Sequence, residues 1–286
     1  MNLIYLMGAG RSGTTIFATV LGGSKNITTL GEMHQFLDHL LEDKPCSCGQ
    51  SLKECSFWAP IISKLETLYS KEELLQINKR NKTIENHSHI SKSYHNNDME
   101  YGRFQKDIFA IISEKNPSKY HLDSAKFISR GLQLNKIEGI NLKFIYIIRD
   151  VRGVIHSFNK KVQTTKKPLS AIVYYATINF FGQWIYWLLG KEKVLKLRYE
   201  DFVNDTEKVL LKVQDFIGCD LSENLKKLDH NEPFDMPHII GGNRMTESKR
   251  VTLKSDLQWK KSISRPKQIA YYMLTLPFML INKYKA

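Results

Sequence analysis

One run near the start of the chain limits its fold more than any other feature. Leu3 to Met7 is an apolar stretch of five residues, and it stops at Gly8-Ala9-Gly10-Arg11-Ser12-Gly13-Thr14-Thr15. From Thr14 to Leu21 the pattern turns helical. A buried strand, a glycine-bearing turn and a helix, in that order, open an α/β nucleotide-binding unit. Glycines let the backbone wrap around an anion, and the N–H groups and dipole at the helix start favour negative charge. The spacing of Gly8 and Gly13 fits the frame GxxxxGK[ST], but Thr14 stands where the lysine belongs. That lysine reaches the β- and γ-phosphates of a triphosphate, so its loss weakens an ATPase or kinase reading. Arg11 supplies a cation inside the loop instead.

The rest of the chain repeats the alternation. Lys119–Leu122, Lys143–Ile148 and Lys193–Leu197 read as buried strands. Tyr101–Ser113, Ser129–Lys136, Val151–Lys161, Ser170–Leu189 and Asp205–Ile217 read as helices, the last capped by Asn204 or Asp205. This order predicts an α/β, P-loop-like three-layer fold with a central parallel sheet flanked by helices. Residues 1–286 form a single domain, with a lid or insert over 42–100 and a basic C-terminal segment over 243–286. Residues 78–97, polar and carrying His87, His89 and His95, read as an exposed loop or mobile lid, and Gly241 to Arg250 as a loop.

Hydrophobic residues make up 42% and charged residues 25% of the chain, which excludes a wholly disordered protein. The net charge of +13 predicts anionic company without specifying fold. From residue 243 onward, ten Lys or Arg face only Glu247 and Asp256, so most of that excess is C-terminal. Ile269 to Ile281 is nearly all apolar, but its thirteen residues are interrupted by Pro277 and fall short of the roughly 20 that span a bilayer. The N-terminal apolar run is too short for a secretory signal. A cytoplasmic protein is expected, with peripheral membrane contact through the C-terminal segment as an option.

Two phosphate motifs carry a family resemblance. G-x-x-R-S-G-T-T after a first strand resembles the 5′-phosphosulfate loop of sulfotransferases that use 3′-phosphoadenosine 5′-phosphosulfate (PAPS). Arg149-Asp150-Val151-Arg152 follows the strand KFIYII, and Ser157 comes eight residues after Arg149. In that family an arginine and a serine at this spacing bind the 3′-phosphate, and a guanidinium with a helix hydroxyl suits such an anion. Leu197-Arg198-Tyr199-Glu200-Asp201-Phe202 is similar to the family segment that places a tyrosine near the nucleotide. His238-Ile-Ile-Gly241-Gly242-Asn243-Arg244 resembles a nucleotide-contacting loop of bacterial members, although Arg244 directly follows Asn243 where the pattern has two residues between them. Cys46-Ser-Cys48-Gly49 with Cys55-Ser-Phe-Trp58 is also similar to bacterial members.

The resemblance implies a PAPS-dependent enzyme acting on an acceptor hydroxyl, with a carbohydrate or glycolipid as the expected acceptor, no metal required and no nucleic acid partner. Gly10, Arg11, Ser12, Gly13, Thr14, Thr15, Arg149, Ser157, Tyr199, Asn243 and Arg244 would hold the nucleotide. Arg11 would stabilise charge on the departing 5′-phosphate. Glu32, in a G-E pair similar to that of tyrosylprotein sulfotransferases, is the candidate general base, and His34 is the alternative. Lys126 would approach the sulfonate, with Asp123 positioning it or meeting the acceptor. Two other readings stay open: a small-molecule P-loop kinase, and a non-enzymatic basic module binding nucleic acid or membrane. The cysteine cluster, with His34 or His39 nearby in sequence, is read as packing or a local crosslink rather than zinc, because its spacing fits no common zinc-ribbon pattern.

Overall fold

A computed structural model describes residues 1–160, 165–242, 248–253 and 256–286. Five parallel strands form the central sheet: β1 (Asn2–Met7), β2 (Ile27–Gly31), β3 (Tyr120–Lys126), β4 (Asn141–Ile148) and β5 (Val194–Arg198). Their spatial order is β2-β3-β1-β4-β5. The chain therefore leaves β1 toward one edge and leaves β4 toward the other. The two departures open a crevice between β1 and β4 at the carboxyl ends of the strands, where open α/β sheets bind ligands.

Both faces of the sheet are covered. Leu3, Tyr5, Phe144 and Tyr146 point into one core with the helices Met99–Lys115, Ile128–Leu134 and Pro168–Leu189. Ile4, Leu6, Ile145 and Ile147 point into the other, against α1 (Thr14–Leu21) and the helix Thr206–Ile217. This alternation of one strand between two apolar layers is why β1 and β4 read as continuous hydrophobic runs. The α/β three-layer expectation is met.

The Thr-rich segment Ile27–Gly31, which no apolar run marks in the sequence, is a strand paired with β3. One local expectation needs correction. Residues 78–97 are not a loop: they continue the helix Lys71–Glu85 and then form a short helix Ile90–His95. A capping box, Ser70 with Glu73, starts the first of these. Its polar sequence still buries Leu74, Asn81 and Glu85. The apolar end of the chain splits into the helices Arg265–Leu274 and Leu276–Ile281 around Thr275, with Tyr272 and Met279 buried and Ile269, Met273, Leu274 and Leu280 exposed. Among the described residues no helix is long and apolar enough to cross a membrane.

Candidate active site

The turn after β1 is drawn tight by its neighbours. A Cβ on Gly8 would lie 2.3 Å from the Ile147 carbonyl oxygen, and one on Gly13 would lie 2.3 Å from the Tyr199 ring. Gly13 also has φ +86°, a region that glycine enters without steric cost. Arg11 adopts a left-handed φ of 69°. The Gly10 N–H donates to the Tyr174 hydroxyl at 2.9 Å. Gly10, Arg11, Gly13, Thr14 and Thr15 line a cleft of about 1040 Å³. Ser12 is fully buried off the cleft wall, and its hydroxyl has no hydrogen-bond partner among the described residues.

β4 ends at the second phosphate motif. The Arg149 guanidinium donates from Nη1 to the Arg11 carbonyl at 3.0 Å and lies 4.3 Å from the centroid of the Tyr199 ring. Tyr199 thus stands between Arg149 and the glycine of the loop. Gly153 leaves room for the guanidinium, since a Cβ there would sit 2.9 Å from Arg149 Nε. Asp150 caps the next helix through the Arg152 N–H at 2.9 Å. Ser157 is half-buried on that helix. The Asp256 carboxylate binds Arg149 at 3.2 Å and Lys160 at 3.4 Å. Burial pushes the Asp256 carboxyl up, but Arg149 and Lys160 outweigh it and hold the group below its ordinary value.

The ends of β2 and β3 form the opposite wall. Glu32 follows Gly31 and faces the cleft together with Lys126 and Gln35. Lys126 Nζ donates to Glu32 Oε1, and Gln35 Nε2 donates to Glu32 Oε2 at 2.8 Å. Burial alone would raise the Glu32 carboxyl; the Lys126 charge and these two hydrogen bonds prevail and hold it below the ordinary value of 4.5. Glu32 precedes a short 3₁₀ turn, Met33–Gln35, yet its side chain does not cap it. The backbone is fixed instead by the Glu32 N–H bonding to Ile240 O at 2.7 Å.

His34 points elsewhere. Its ring packs 4.4 Å from that of Phe127, which also stacks on His87, and it is absent from the cleft wall. Burial pushes its pKa down to about 3. Asp123 neither positions Lys126 nor meets the cleft: its carboxylate accepts from Arg130 Nε at 2.8 Å and from the Ala125 N–H at 2.9 Å. Asn243 and Arg244 lie outside the described residues.

A sulfotransferase family model matches residues 4–223, a span that takes in both phosphate motifs, Glu32 and Lys126. The chain belongs to the sulfotransferase family. It is an enzyme, and its co-substrate is PAPS. Solved structures agree on the fold at low sequence identity. The sulfotransferase domain from the olefin synthase of Synechococcus is 21% identical with a TM-score of 0.61, over 100% of this chain and 96% of that one. The sulfotransferase domain from the curacin biosynthetic pathway is 19% identical with a TM-score of 0.60, covering 99% and 98% of the two chains. A mouse sulfotransferase solved in complex with PAP (adenosine 3′,5′-bisphosphate) is 14% identical with a TM-score of 0.52, covering 97% and 84%. No curated protein matches in sequence.

Several residues of this sulfotransferase site escaped the sequence reading. Tyr174 sat inside an aromatic run that also suits a buried helix. Gln35, Lys44, Lys166 and Lys249 line the cleft but belong to no motif. Asp256 was counted only as a charge. The imidazole that joins the cysteines is His238, not His34 or His39.

Proposed function

We propose that this sulfotransferase moves the sulfuryl group of PAPS onto a hydroxyl of a carbohydrate or glycolipid by in-line displacement, with Glu32 as general base. The observation that carries this reading is the Glu32 carboxylate facing the same cleft as Arg11 and the start of α1. The acceptor oxygen attacks sulfur and its proton passes to Glu32. The sulfur–oxygen bond to the 5′-phosphate breaks, and the electron pair leaves with that phosphate. Arg11 and the loop N–H groups meet the charge that builds there. Arg149, Ser157 and Tyr199 hold the 3′-phosphate side. Lys126, held on Glu32 in the free enzyme, moves to the sulfonate when PAPS binds. Loss of the ammonium lets the Glu32 carboxyl rise toward a more useful basicity.

Polar groups of Gln35, His39 and Lys44 and the rings of Phe158 and Tyr174 line the wide cleft, and they suit a sugar. The exposed Ile269, Met273, Leu274 and Leu280 stand beside Arg265, Lys267, Lys283 and Lys285. An interfacial helix pair of this kind would bring a cytoplasmic enzyme to anionic lipid. Mass-spectrometric detection of sulfate transfer from PAPS, over glycans and over glycolipids in anionic vesicles, tests the acceptor class. A panel sulfated only on peptide or small phenolic hydroxyls sinks it. Titration with PAP and with ATP–Mg²⁺ tests the co-substrate site. The bisphosphate should bind without Mg²⁺, and a preference for ATP–Mg²⁺ would return the site to a kinase.

A further inference from the structure

One cluster of nucleophilic side chains borders the cleft, with Cys46 and Cys48 on its wall, and fills no role in the transfer proposed above. Cys46, Cys48 and Cys55 come from a single short segment, and His238 comes from a loop more than 180 residues later. One ligand atom from each lies within 4.8 Å of all the others. His238 Nδ1 is 3.1 Å from Cys55 Sγ and 4.0 Å from Cys46 Sγ. We infer that Cys46, Cys48, Cys55 and His238 form a structural zinc site, with three thiolates and one imidazole around a single tetrahedral ion.

The chemistry and the size agree. Zinc–sulfur bonds of about 2.3 Å and zinc–nitrogen bonds of about 2.0–2.1 Å set tetrahedral ligand atoms roughly 3.5–3.8 Å apart. The observed cluster needs only small side-chain adjustments to reach that spacing, and it is too tight for a multinuclear iron–sulfur cluster. No disulfide joins any of the four cysteines in this structure, so no crosslink accounts for the cluster here. Packing does not explain the group either, since Cys48 is exposed and an imidazole nitrogen is aimed at the thiols.

The backbone is already shaped for a metal. Cys46 to Gly49 makes a tight turn, with the Gly49 N–H donating to Cys46 O at 2.8 Å and Gly49 at φ +90°. Pro45 and Ser51 pair across it. The Ser47 hydroxyl donates to Pro237 O at 2.6 Å and accepts from the Ile239 N–H at 2.9 Å. Phe57 lies parallel to the His238 ring, and Trp58 Nε1 donates to His238 O at 3.0 Å. The His238 backbone and one face of its ring are thereby held before any ion arrives. Four protein ligands leave no open coordination position, so the ion is structural and takes no part in sulfuryl transfer.

The test is elemental analysis of the full-length protein purified from zinc-supplemented medium, followed by cobalt substitution. About one zinc per chain should co-purify, and cobalt should give a thiolate charge-transfer band with the strong visible absorption of a tetrahedral ion. Cys48→Ser, which alters the exposed ligand, should stay folded and weaken zinc binding by more than about a hundredfold. Cys219→Ser, in the opposite core, should keep full zinc content. Folded protein with no zinc, iron in place of zinc, a disulfide among the three cysteines, or stoichiometric zinc retained by a Cys48→Ser/Cys55→Ser double variant would each overturn the assignment.

Discussion

Glu32 and Lys126 hold each other as a charged pair, and that pairing makes the base testable. Glu32→Gln keeps the shape and the hydrogen bond from Gln35 but cannot take a proton. Turnover should fall at least about a hundredfold, the lower end of the usual worth of a general base, while PAP affinity measured by calorimetry changes little. The acid side of the rate profile gives a second reading. In kcat/KM for PAPS, which reports the free enzyme with Lys126 still on Glu32, the depressed carboxyl stays ionised as pH falls, so the acid limb should lie below the ordinary glutamate value of 4.5. Near-normal turnover in the glutamine variant, or an acid limb near the ordinary histidine value of 6.5, would remove Glu32 from the role. Glu32 was legible in the sequence through the short-range G-E pair. Its partner was only half legible, because the meeting of Lys126 with Glu32 depends on two strands lying side by side.

At the scale of elements, legibility followed local geometry. The phosphate loop stood out because close approach to Ile147 and to the Tyr199 ring allows only glycine at two of its positions. Strands β1 and β4 stood out because both of their faces are covered. By contrast β2 spells Ile-Thr-Thr-Leu-Gly, with too little apolar content to mark a strand, and the helix Lys71–Glu85 buries so few residues that its periodicity is faint. Its Ser70–Glu73 capping box was present in the sequence and went unused. The turn after β4 that holds Arg149 carries a prediction of its own. Asp256 shares its carboxylate between Arg149 and Lys160, where a 3′-phosphate would compete for the same guanidinium. Asp256→Asn should therefore tighten PAP binding by about threefold, the worth of one partly exposed ion pair. Weaker binding in that variant would mean that Asp256 supports the site instead.

Over the whole molecule, the least legible features are those that join distant segments through buried polar groups. Arg130, 1% exposed, links β3 to the helix Lys71–Glu85: its Nε donates to Asp123 and its Nη1 to Glu85, whose carboxylate also accepts from the Tyr101 hydroxyl at 2.8 Å. No residue spacing announces such a network, since its members become neighbours only after the helices have packed. Arg130→Ala would leave two carboxylates buried without their cation and should cost about 3–5 kcal/mol of stability, read as a lowered urea midpoint. A loss below about 1 kcal/mol would mean that water reaches the cavity and screens both acids.

The bond between Ile240 and Glu32 has a practical meaning for anyone dividing this chain. The recognisable family region stops at residue 223, yet the Glu32 N–H and the Leu30 carbonyl both bond to Ile240, beside a Gly31 that has no space for a side chain. Shortening the protein to its family signature would spare both phosphate motifs and nearly all of the five-stranded sheet, but not the loop that starts at His238. It would also free Glu32, the proposed base, from the edge that aims it. Such a fragment should bind PAP and transfer almost no sulfate, so the smallest working sulfotransferase is longer than the sequence by which it is recognised.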